Sequence, residues 1–561
     1  MANKASRMIK LETLMDGTQN SLKNFRARRV FISELADQKE HFAKCYNTIP
    51  VSDNWIFYES MGGKRMMDNP LALFRQIHGD KRFKDFVHVW VVTRYDTIPT
   101  ELKSVPNMLF VTRNTSAYMQ AITKSKYIVC NSTFPVYVVP KPEQKYLNTW
   151  HGIAYKGIGR SEQSPLGPRS TVDNMLQATH ILTSCDYMTQ KQLLGFSMKG
   201  VYSGELAEAG YPRIDMTLNA SAADKKRLYS DLGLDPDKQV VLYAPTWRGV
   251  MEDRKFDVDT LQKDLAALAG LDANVIFMGH HLMIENIKGV DLGSLIIPPP
   301  SQNTNELLSI VDVLITDYSS IFFDFLVTNK PIIHYVYDYD EYKRERGLGL
   351  ELDELPGEVV RTKKELIATA RNLLAAPYKP TKQYARARKR FCPHEDGRVS
   401  KRVAEWFIKG NSKGVNTVPK DKRPSIVFWG GALNNTQHAL EYLKKLKAAV
   451  KRGDKNVVLV VARSIMKQPE IMAIINDLGE TVTVIARAHD TMIGTKTEKV
   501  AKRLLESGVR GTGRIPMLRQ AYDRLYRREY QRMFGGARFD EIALYPKCSR
   551  FWKELVKYAA D

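Results

Sequence analysis

Short apolar runs alternate with amphipathic stretches along most of the chain. From residue 51 to about 210 the predicted strands are WIFYES, HVWVVT, MLFVT, YIVCN and ATHILTS, and the predicted helices include PLALFRQI and SAYMQAITKS. Short apolar strands that alternate with helices are typical of a parallel sheet covered on both faces. The pattern predicts an α/β domain over residues 51–212.

The same alternation starts again after residue 213. SAADKKRLYSDLG predicts a helix with a serine N-cap and a closing glycine, and the strands predicted after it are QVVLYA, NVIFM, GSLIIPPP, DVLIT and KPIIHYVYD. Two consecutive units of this kind predict two facing Rossmann-like domains, 51–212 and 213–408, with a cleft between them.

Three further segments complete the predicted organisation. Residues 1–50 are predicted to be helical and polar, and residues 409–424, rich in Lys, Gly, Ser and Pro, are predicted to be a linker. Residues 425–561 predict a third α/β unit with the strands SIVFWGG, NVVLVVARS, TVTVIARA and FDEIALY.

Charge narrows the class of partner. The 561 residues include 84 Lys and Arg against 62 Asp and Glu, a net charge of +22, which indicates an acidic partner such as a polyphosphate, an anionic lipid or a nucleic acid. A nucleic-acid partner is not expected, because zinc-finger and RNP-like patterns are lacking. The basic segments 23–29 and 377–391 are either solvated helix faces or contacts for phosphate or lipid.

Several classes of activity and cofactor lose support. The sequence has no GxxxxGK[ST] loop and no GxGxxG motif after a strand, which argues against a kinase, an ATPase or a dinucleotide-dependent dehydrogenase. The five cysteines are scattered without a CxxC pair, so we expect free thiols and no zinc ribbon. We expect no metal and no required cofactor.

Membrane-spanning and secretory segments are not expected either. No apolar run reaches the roughly 18 residues that a spanning helix needs, and the residues MANKASRMIK lack the apolar core of a signal peptide. We therefore expect a cytoplasmic protein, peripheral on the inner face of the plasma membrane.

Polar side chains follow the predicted strands at one edge of both units. In open α/β sheets ligands bind outside the carboxyl ends of the strands, so residues there are candidates for a site in the cleft. These residues are His151, Gly152, Thr246, Arg248, His280, Asp317, Ser319 and Ser320.

Two of these positions suggest specific chemistry. Ser319 and Ser320 are predicted to lie in the first turn of a helix, where backbone N–H groups attract phosphate, although serine there also serves as a plain N-cap. His151 can accept a proton at neutral pH, although a single histidine can equally be structural. Of the adjacent His280 and His281, only one is expected to face the cleft.

The motifs resemble those of the CDP-glycerol glycerophosphotransferases, the family of teichoic acid primases and polymerases. The matching segments run in order from about residue 55 to 407: FYESMGGKRMMDNPLALF, NTWHGIAYKGIG, AGYPRID, APTWRG, DVLITDYSSIFFDF, KPIIHYVYD and EDGRVSKRV. The resemblance implies a GT-B-like fold with the active site between two Rossmann-like halves.

The resemblance also implies a reaction, in which an acceptor hydroxyl attacks the β-phosphate of a CDP-polyol and CMP leaves. Glycerol phosphate or ribitol phosphate would pass to a teichoic acid or capsule polymer, as in an EC 2.7.8-type transferase, with a lipid-linked or polymeric glycan as acceptor. The residue roles it implies are as follows: His151 as catalytic base, His280 as a second catalytic histidine near the phosphates, Ser319 and Ser320 as the pyrophosphate cradle, Thr246, Arg248 and Asp317 on the donor side, and Gly152, Lys156, Asn131 and Arg213 on the acceptor side or elsewhere in the cleft.

Departures from the family pattern leave the donor open. Ile153-Ala154 stand where the family has Thr-Pro, Met278 replaces an arginine, and Leu348-Gly349-Leu350 follow Arg346-Gly347 in place of an aromatic-rich segment. Glycerol, ribitol and a sugar phosphate all stay possible.

Residues 425–561 resemble the N-terminal, acceptor-binding half of a glycosyltransferase that is often fused to these enzymes. We expect this unit to be part of a longer bifunctional enzyme or a degenerate docking module. Two other functions compete with polyol-phosphate transfer: a GT-B glycosyltransferase that uses a nucleotide sugar, and a non-catalytic scaffold that binds anionic polymer or lipid.

Overall fold

A computed structural model of the protein describes residues 34–159, 166, 169–246, 248, 258–279, 283–284, 293–434, 437–487 and 489–560. The described part of the chain contains three mainly parallel sheets. The strands are β1 Ser52–Glu59, β2 Val87–Val91, β3 Met108–Val111, β4 Ser125–Cys130, β5 Lys145–Asn148, β6 His180–Thr183, β7 Glu205–Glu208, β8 Val240–Ala244, β9 Asn274–Phe277, β10 Val313–Thr316, β11 Ile332–Tyr335, β12 Glu358–Val360, β13 Asn416–Thr417, β14 Ser425–Gly431, β15 Asn456–Ala462, β16 Thr483–Arg487 and β17 Glu541–Leu544.

Helices cover both faces of these sheets. The α-helices in the described residues span 34–48, Asp68–His78, Ser116–Lys124, Arg169–Gln177, Asp186–Gly195, Ile214–Leu218, Ala222–Leu232, Val258–Ala269, Thr304–Leu308, Ile321–Phe325, Tyr339–Arg346, Lys363–Ala375, Lys382–Phe391, Val399–Ala404, Gln437–Arg452, Pro469–Leu478, Lys496–Glu506, Pro516–Phe534 and Arg550–Leu555.

The order of the strands confirms the predicted α/β, GT-B-like fold class. The first sheet has the order β13-β7-β6-β5-β4-β1-β2-β3, the second β12-β11-β10-β8-β9 and the third β16-β15-β14-β17. In the first sheet β1 lies between β2 and β4, and in the second β8 lies between β9 and β10. Both are points where the direction of winding reverses and a crevice opens at the carboxyl ends of the strands.

Local sequence explains how individual elements start and stop. Ser221 caps the helix Ala222–Leu232 in a capping box with Asp224, and Gly233 closes it with φ 63°, as predicted for this segment. The strand predicted for GSLIIPPP was wrong, because the segment contributes only the bridge between Ile296 and Ile276. The three prolines that follow have no N–H group for a ladder.

The boundaries between the units carry structure of their own. Within the predicted linker 409–424, Asn416 and Thr417 pair antiparallel with β7 at the edge of the first sheet. Of the N-terminal segment, residues 34–48 form a helix, whereas the basic patch at 23–29 lies outside the described residues. Among the described residues, no helix is both long enough and apolar enough to cross a membrane.

The third unit shares a hydrophobic core with the first. One continuous cluster of buried side chains includes Phe57 and Ile181 of the first unit and Trp429 and Phe534 of the third. The helix Pro516–Phe534 packs along the helix Arg169–Gln177. Because this contact is apolar and extensive, the third unit is fixed to the back of the first sheet rather than tethered beside it.

Candidate active site

His151 follows β5 at the carboxyl edge of the first sheet, next to the end of β4. Its Nδ1 lies 3.0 Å from the carbonyl oxygen of Asn131. A carbonyl oxygen only accepts hydrogen bonds, so Nδ1 carries the proton of the neutral ring and Nε2 presents a lone pair. No residue in the described part of the chain donates a hydrogen bond to Nε2. This tautomer is the one that a general base with a free Nε2 requires.

The surroundings of His151 favour its neutral form. The residue is partly exposed to solvent, but protein surrounds its ring closely. Loss of water around the ring lowers the pKa of His151 below its ordinary value of 6.5, against the hydrogen bond to Asn131 and the nearby Asp68, which favour the protonated form. The positive charge of Arg213 also lowers the pKa. At pH 7 the ring is therefore mainly an unprotonated base.

Asn131 is fully buried and acts through its backbone carbonyl. Its side-chain Nδ2 donates to Oδ2 of Asp68 at 2.8 Å, and its Oδ1 accepts from the backbone N–H of Met61 at 2.9 Å. The amide thus locks the turn after β4 to the turn after β1. Asn131 was predicted as a cleft residue, and in the structure it positions His151.

Arg213 connects the two facing units. Its Nε and Nη2 donate to the two carboxylate oxygens of Asp324, at 2.7 and 2.8 Å, and its Nη1 donates to Oδ1 of Asp68 at 2.9 Å. The residue is only 5% exposed. Two carboxylates therefore occupy this guanidinium, which makes it a structural clamp beside the site rather than a free anion ligand.

Gly152 brings the backbone of the first unit against the serine pair of the second. A Cβ at Gly152, where φ is +142°, would lie 3.0 Å from Nη2 of Arg213 and 3.4 Å from Oγ of Ser320. Ser319 and Ser320 directly precede the short helix Ile321–Phe325, and both are half-buried. The predicted phosphate cradle and the predicted base thus lie on opposite walls of one narrow cleft.

A network of charges fixes the positions of the residues predicted to lie on the donor side. Asp317, 2% exposed, accepts from the backbone N–H of Thr246 at 2.9 Å and from Nη1 of Arg248 at 2.8 Å. Arg248 also donates to Asp338, at 3.1 Å from Nη2, and its guanidinium faces the ring of Tyr318 at 5.1 Å. Asp317 and Arg248 thus bind each other, and together they hold the loops on which Thr246 and Asp338 lie.

The side-chain hydroxyl of Thr246 is a further candidate for contact with a ligand. Its Oγ1 is buried and has no hydrogen-bond partner in the described part of the chain, although the backbone of the same residue is held by Asp317. A buried hydroxyl without a partner is costly, so it is a candidate contact for a polar ligand group.

Lys156 extends from the first unit into this network. Its Nζ lies 5.4 Å from the centre of the Tyr342 ring, and its backbone bridges to Leu348 of the second unit. Burial, with a smaller contribution from the charges of Arg346 and Arg248, lowers the pKa of Lys156 to about 8, against the attraction of Asp317. The ammonium group is therefore charged at neutral pH and lies where the two units meet.

The structure brings most of the predicted site residues together and leaves one of them undescribed. His151, Gly152, Asn131, Arg213 and Ser320 form one connected group, and Lys156 lies beside the cluster of Thr246, Arg248 and Asp317. His280 lies outside the described residues, so its role stays a prediction. Sequence reasoning missed the carboxylates that hold the site: Asp68, Asp324 and Asp338. All three lie inside the matching motifs, which was the available signal.

Cavities elsewhere in the molecule do not contain these residues. One of about 680 Å³ lies between the first and third units, lined in part by Tyr46, Leu176 and Arg527. Another of about 740 Å³ lies beside the helix Lys382–Phe391. We place the site at the cleft on the strength of its polar geometry, since a narrow cleft between two units need not form a large cavity.

Two facing parallel sheets with a base and a serine pair across their cleft define a protein of the GT-B-like class. The chain belongs to the CDP-Glycerol:Poly(glycerophosphate) glycerophosphotransferase family, whose model matches residues 41–409. The residue roles carried over from that resemblance stay predictions.

Curated relatives and a solved structure agree with this family. The chain is 28% identical to a teichoic acid poly(glycerol phosphate) polymerase of Bacillus subtilis over 64% of its length and 49% of the relative's. It is 29% identical to a teichoic acid glycerol-phosphate transferase of Staphylococcus aureus, over 64% of the chain and 93% of the relative. A structure of the wall teichoic acid polymerase TagF superimposes with a TM-score of 0.58 at 25% identity, covering 68% of this chain and 96% of that one.

The extent of these matches differs between relatives. The chain spans about half the length of the Bacillus subtilis polymerase and of a teichoic acid poly(ribitol-phosphate) polymerase of Bacillus spizizenii, to which it is 28% identical. The chain thus matches both glycerol-phosphate and ribitol-phosphate enzymes.

Proposed function

We propose that the protein transfers a polyol phosphate, glycerol phosphate or ribitol phosphate, from a CDP-polyol to a hydroxyl of a cell-envelope glycopolymer and releases CMP. The observation that carries the proposal is the contact between Nδ1 of His151 and the carbonyl of Asn131. It leaves Nε2 as an open base in the cleft of a protein that belongs to a glycerophosphotransferase family.

The proposed reaction is an in-line displacement at phosphorus. Nε2 of His151 removes the proton of the acceptor hydroxyl, and the oxygen attacks the phosphorus that bears the polyol. A new phosphodiester bond forms, the bond from this phosphorus to the bridging oxygen breaks, and CMP departs with the electron pair. Because such transfer depends on positioning and on neutralisation of charge, the remaining residues need only hold and balance the donor.

Lys156 and the serine pair are suited to that task. Lys156 supplies a positive charge at neutral pH close to the donor side, and the hydroxyls of Ser319 and Ser320 can donate to phosphate oxygens. The unpaired hydroxyl of Thr246 adds a further donor. His280 is proposed as a second histidine near the phosphates on the resemblance alone.

The proposal also covers the enzyme class, the cofactor requirement, the acceptor and the cellular location. We place the reaction in EC class 2.7.8, with no required cofactor, a lipid-linked or polymeric glycan acceptor and an enzyme peripheral on the inner face of the plasma membrane. The family membership supports the transferase class, and the net charge of +22 suits a phosphate-bearing donor and polymer and an anionic membrane.

Release of CMP from CDP-glycerol and CDP-ribitol, with a synthetic glycopolymer acceptor, tests the function. We expect release from one of the two donors and its loss in His151→Ala. The same assay includes nucleotide sugars, because a GT-B glycosyltransferase is the alternative. Turnover of a nucleotide sugar with silence toward both CDP-polyols would replace the proposal, and a CDP-polyol activity that survives His151→Ala would remove the proposed base.

A further inference from the structure

The third unit ends on one side in a helical hairpin. The helices Lys496–Glu506 and Pro516–Phe534 pack against each other, and a short turn joins them. The backbone N–H of Val509 donates to Leu504 at 3.3 Å, and that of Ile515 donates to Thr512 at 3.1 Å, so the turn is a folded element. We refer to residues 500–519 as the hairpin tip.

The hairpin tip exposes apolar side chains. Every residue from 507 to 517 is exposed except Thr512. The exposed fraction is 50% for Val509, 45% for Ile515 and 61% for Met517, and Val500 on the adjoining helix is 47% exposed. Four large apolar residues are thus exposed within twenty positions of one hairpin, whereas exposed apolar side chains on protein surfaces are normally scattered singly.

The same surface is strongly basic. Residues 496–519 contain seven Lys or Arg and two Asp or Glu. Neither acid is free to neutralise the tip, because Glu498 is buried against Arg528 at 2.8 Å and Glu506 pairs with Lys502 at 2.7 Å. Arg503, Arg510 and Arg514 form no ion pair within the described part of the chain, so their charges remain exposed around the apolar side chains.

We propose that the hairpin tip docks on an anionic lipid bilayer, with Val509, Ile515 and Met517 in the headgroup region and Arg510 and Arg514 on the lipid phosphates. Apolar side chains gain from leaving water at the interface, and each arginine gains from the negative surface potential. This proposal rests on the proposed peripheral attachment and names the surface that makes it. The hairpin tip lies in the third unit, outside the residues 41–409 that the family model matches.

Other occupants fit the tip less well. A hydrated phosphate polymer would satisfy the arginines, but it offers no apolar surface to the three exposed side chains. A second copy of the same tip would cover the apolar side chains, but it would bring two strongly positive surfaces together, at a cost that only counter-ions could relieve. An anionic bilayer satisfies both features at once.

Sedimentation of the full chain with vesicles tests the proposal. Vesicles of phosphatidylcholine alone are compared with vesicles of equal parts phosphatidylcholine and phosphatidylglycerol. We expect binding to the anionic vesicles that weakens as salt rises. The double variant R510E/R514E should bind at least ~25-fold more weakly, because each arginine contributes about 1 kcal/mol near such a surface, or about fivefold.

The apolar contribution is tested separately with V509S/I515S/M517S, which should reduce binding at least ~10-fold. A matched control, I542S/L544S, alters two apolar residues of similar exposure on the edge strand β17 and should bind like the wild type. All five substituted arginine and apolar sites are exposed, so unchanged thermal unfolding midpoints verify that the variants fold.

Three results would overturn the docking site. Vesicle binding that is equal in the tip variants and the wild type would do so, as would an equal loss in the β17 control. Binding of the tip to soluble poly(glycerol phosphate) but not to vesicles would assign the surface to polymer instead.

CMP release with a soluble acceptor is measured in parallel and is expected to persist in the tip variants. Its absence in the wild type would refute the proposed function and leave the vesicle result standing.

Discussion

The guanidinium of Arg213 holds the carboxylate of Asp324 through two parallel hydrogen bonds, at 2.7 Å from Nε and 2.8 Å from Nη2. Arg213 follows β7 of the first sheet, whereas Asp324 lies in the helix that begins after Ser320. Because Nη1 of the same arginine also bonds Asp68, one side chain fixes the serine pair relative to the turn that holds His151.

Asp324→Asn should therefore damage both stability and catalysis. The substitution leaves a buried guanidinium with one carboxylate instead of two, and breaking a buried ion pair costs about 3–5 kcal/mol. Denaturant titration measures the free energy of unfolding, and the rate of CMP release measures activity. Asp477→Asn, which removes an exposed pair with Lys447, is the control and should cost less than ~1 kcal/mol. Equal losses in the two variants would contradict the clamp.

The decrease in activity at acid pH should reflect protonation of His151. Burial lowers the pKa of its imidazole below 6.5, and protonation removes the lone pair that accepts the hydroxyl proton. We expect kcat/KM for CMP release to be constant near pH 7 and to fall on acidification with an apparent pKa below 6.5. His151→Asn should lose at least ~100-fold in kcat, while His438→Asn, on the exposed surface of the third unit, should keep the wild-type profile. An acid limb above 6.5 would count against His151.

Lys156 should determine how donor binding changes at alkaline pH. Its pKa of about 8 means that the charge is present below that pH and is lost above it. We expect KM for the CDP-polyol to rise as the pH passes 8 in the wild type. Lys156→Arg keeps the charge throughout this range and should remove that rise, whereas Lys156→Met should raise KM below pH 8 and approach the wild-type KM above it. Identical pH dependence in the wild type and Lys156→Arg would exclude this role.

The alternation of apolar strands and helices predicted the fold class because a doubly wound sheet leaves a strong local pattern. His151, Ser319 and Ser320 were identifiable because they follow buried strands whose carboxyl ends must meet at one edge. The commitment of Arg213 to Asp324 was not predictable, since it joins residues 111 positions apart and depends on how two units approach each other. The same holds for the core that the first and third units share, which no local periodicity records.

Gly152 offers a test of the close approach between the units. A side chain there would meet Arg213 and Ser320 in addition to straining a backbone with φ +142°. Gly152→Ala should therefore reduce kcat by at least ~10-fold, beyond the stability cost that positive φ imposes. Gly453→Ala is the control, because φ is +70° there and no atom lies within 4 Å of the added Cβ. It should lose stability and keep its activity per folded molecule.

Glu395 should make stability depend on pH in the direction opposite to that of a paired carboxylate. The buried side chain accepts hydrogen bonds from the backbone N–H groups of Tyr211 and His394, at 3.3 and 3.1 Å. Burial nevertheless raises its pKa from 4.5 to about 8. The folded state thus binds a proton that the unfolded chain releases, so the stabilisation is complete below pH 4.5 and is lost as the pH rises through 8.

Glu395→Gln keeps the shape of the side chain and removes this titration. Relative to the wild type, the variant should gain unfolding free energy between pH 5 and pH 9, by up to a few kcal/mol, since one pKa unit corresponds to about 1.4 kcal/mol. Denaturant titrations at several pH values measure the difference, and Glu101→Gln, at an exposed position, should show none. A variant that instead loses stability relative to the wild type toward pH 9 would mean that the folded protein holds Glu395 as a carboxylate, with its two backbone hydrogen bonds outweighing the cost of burial.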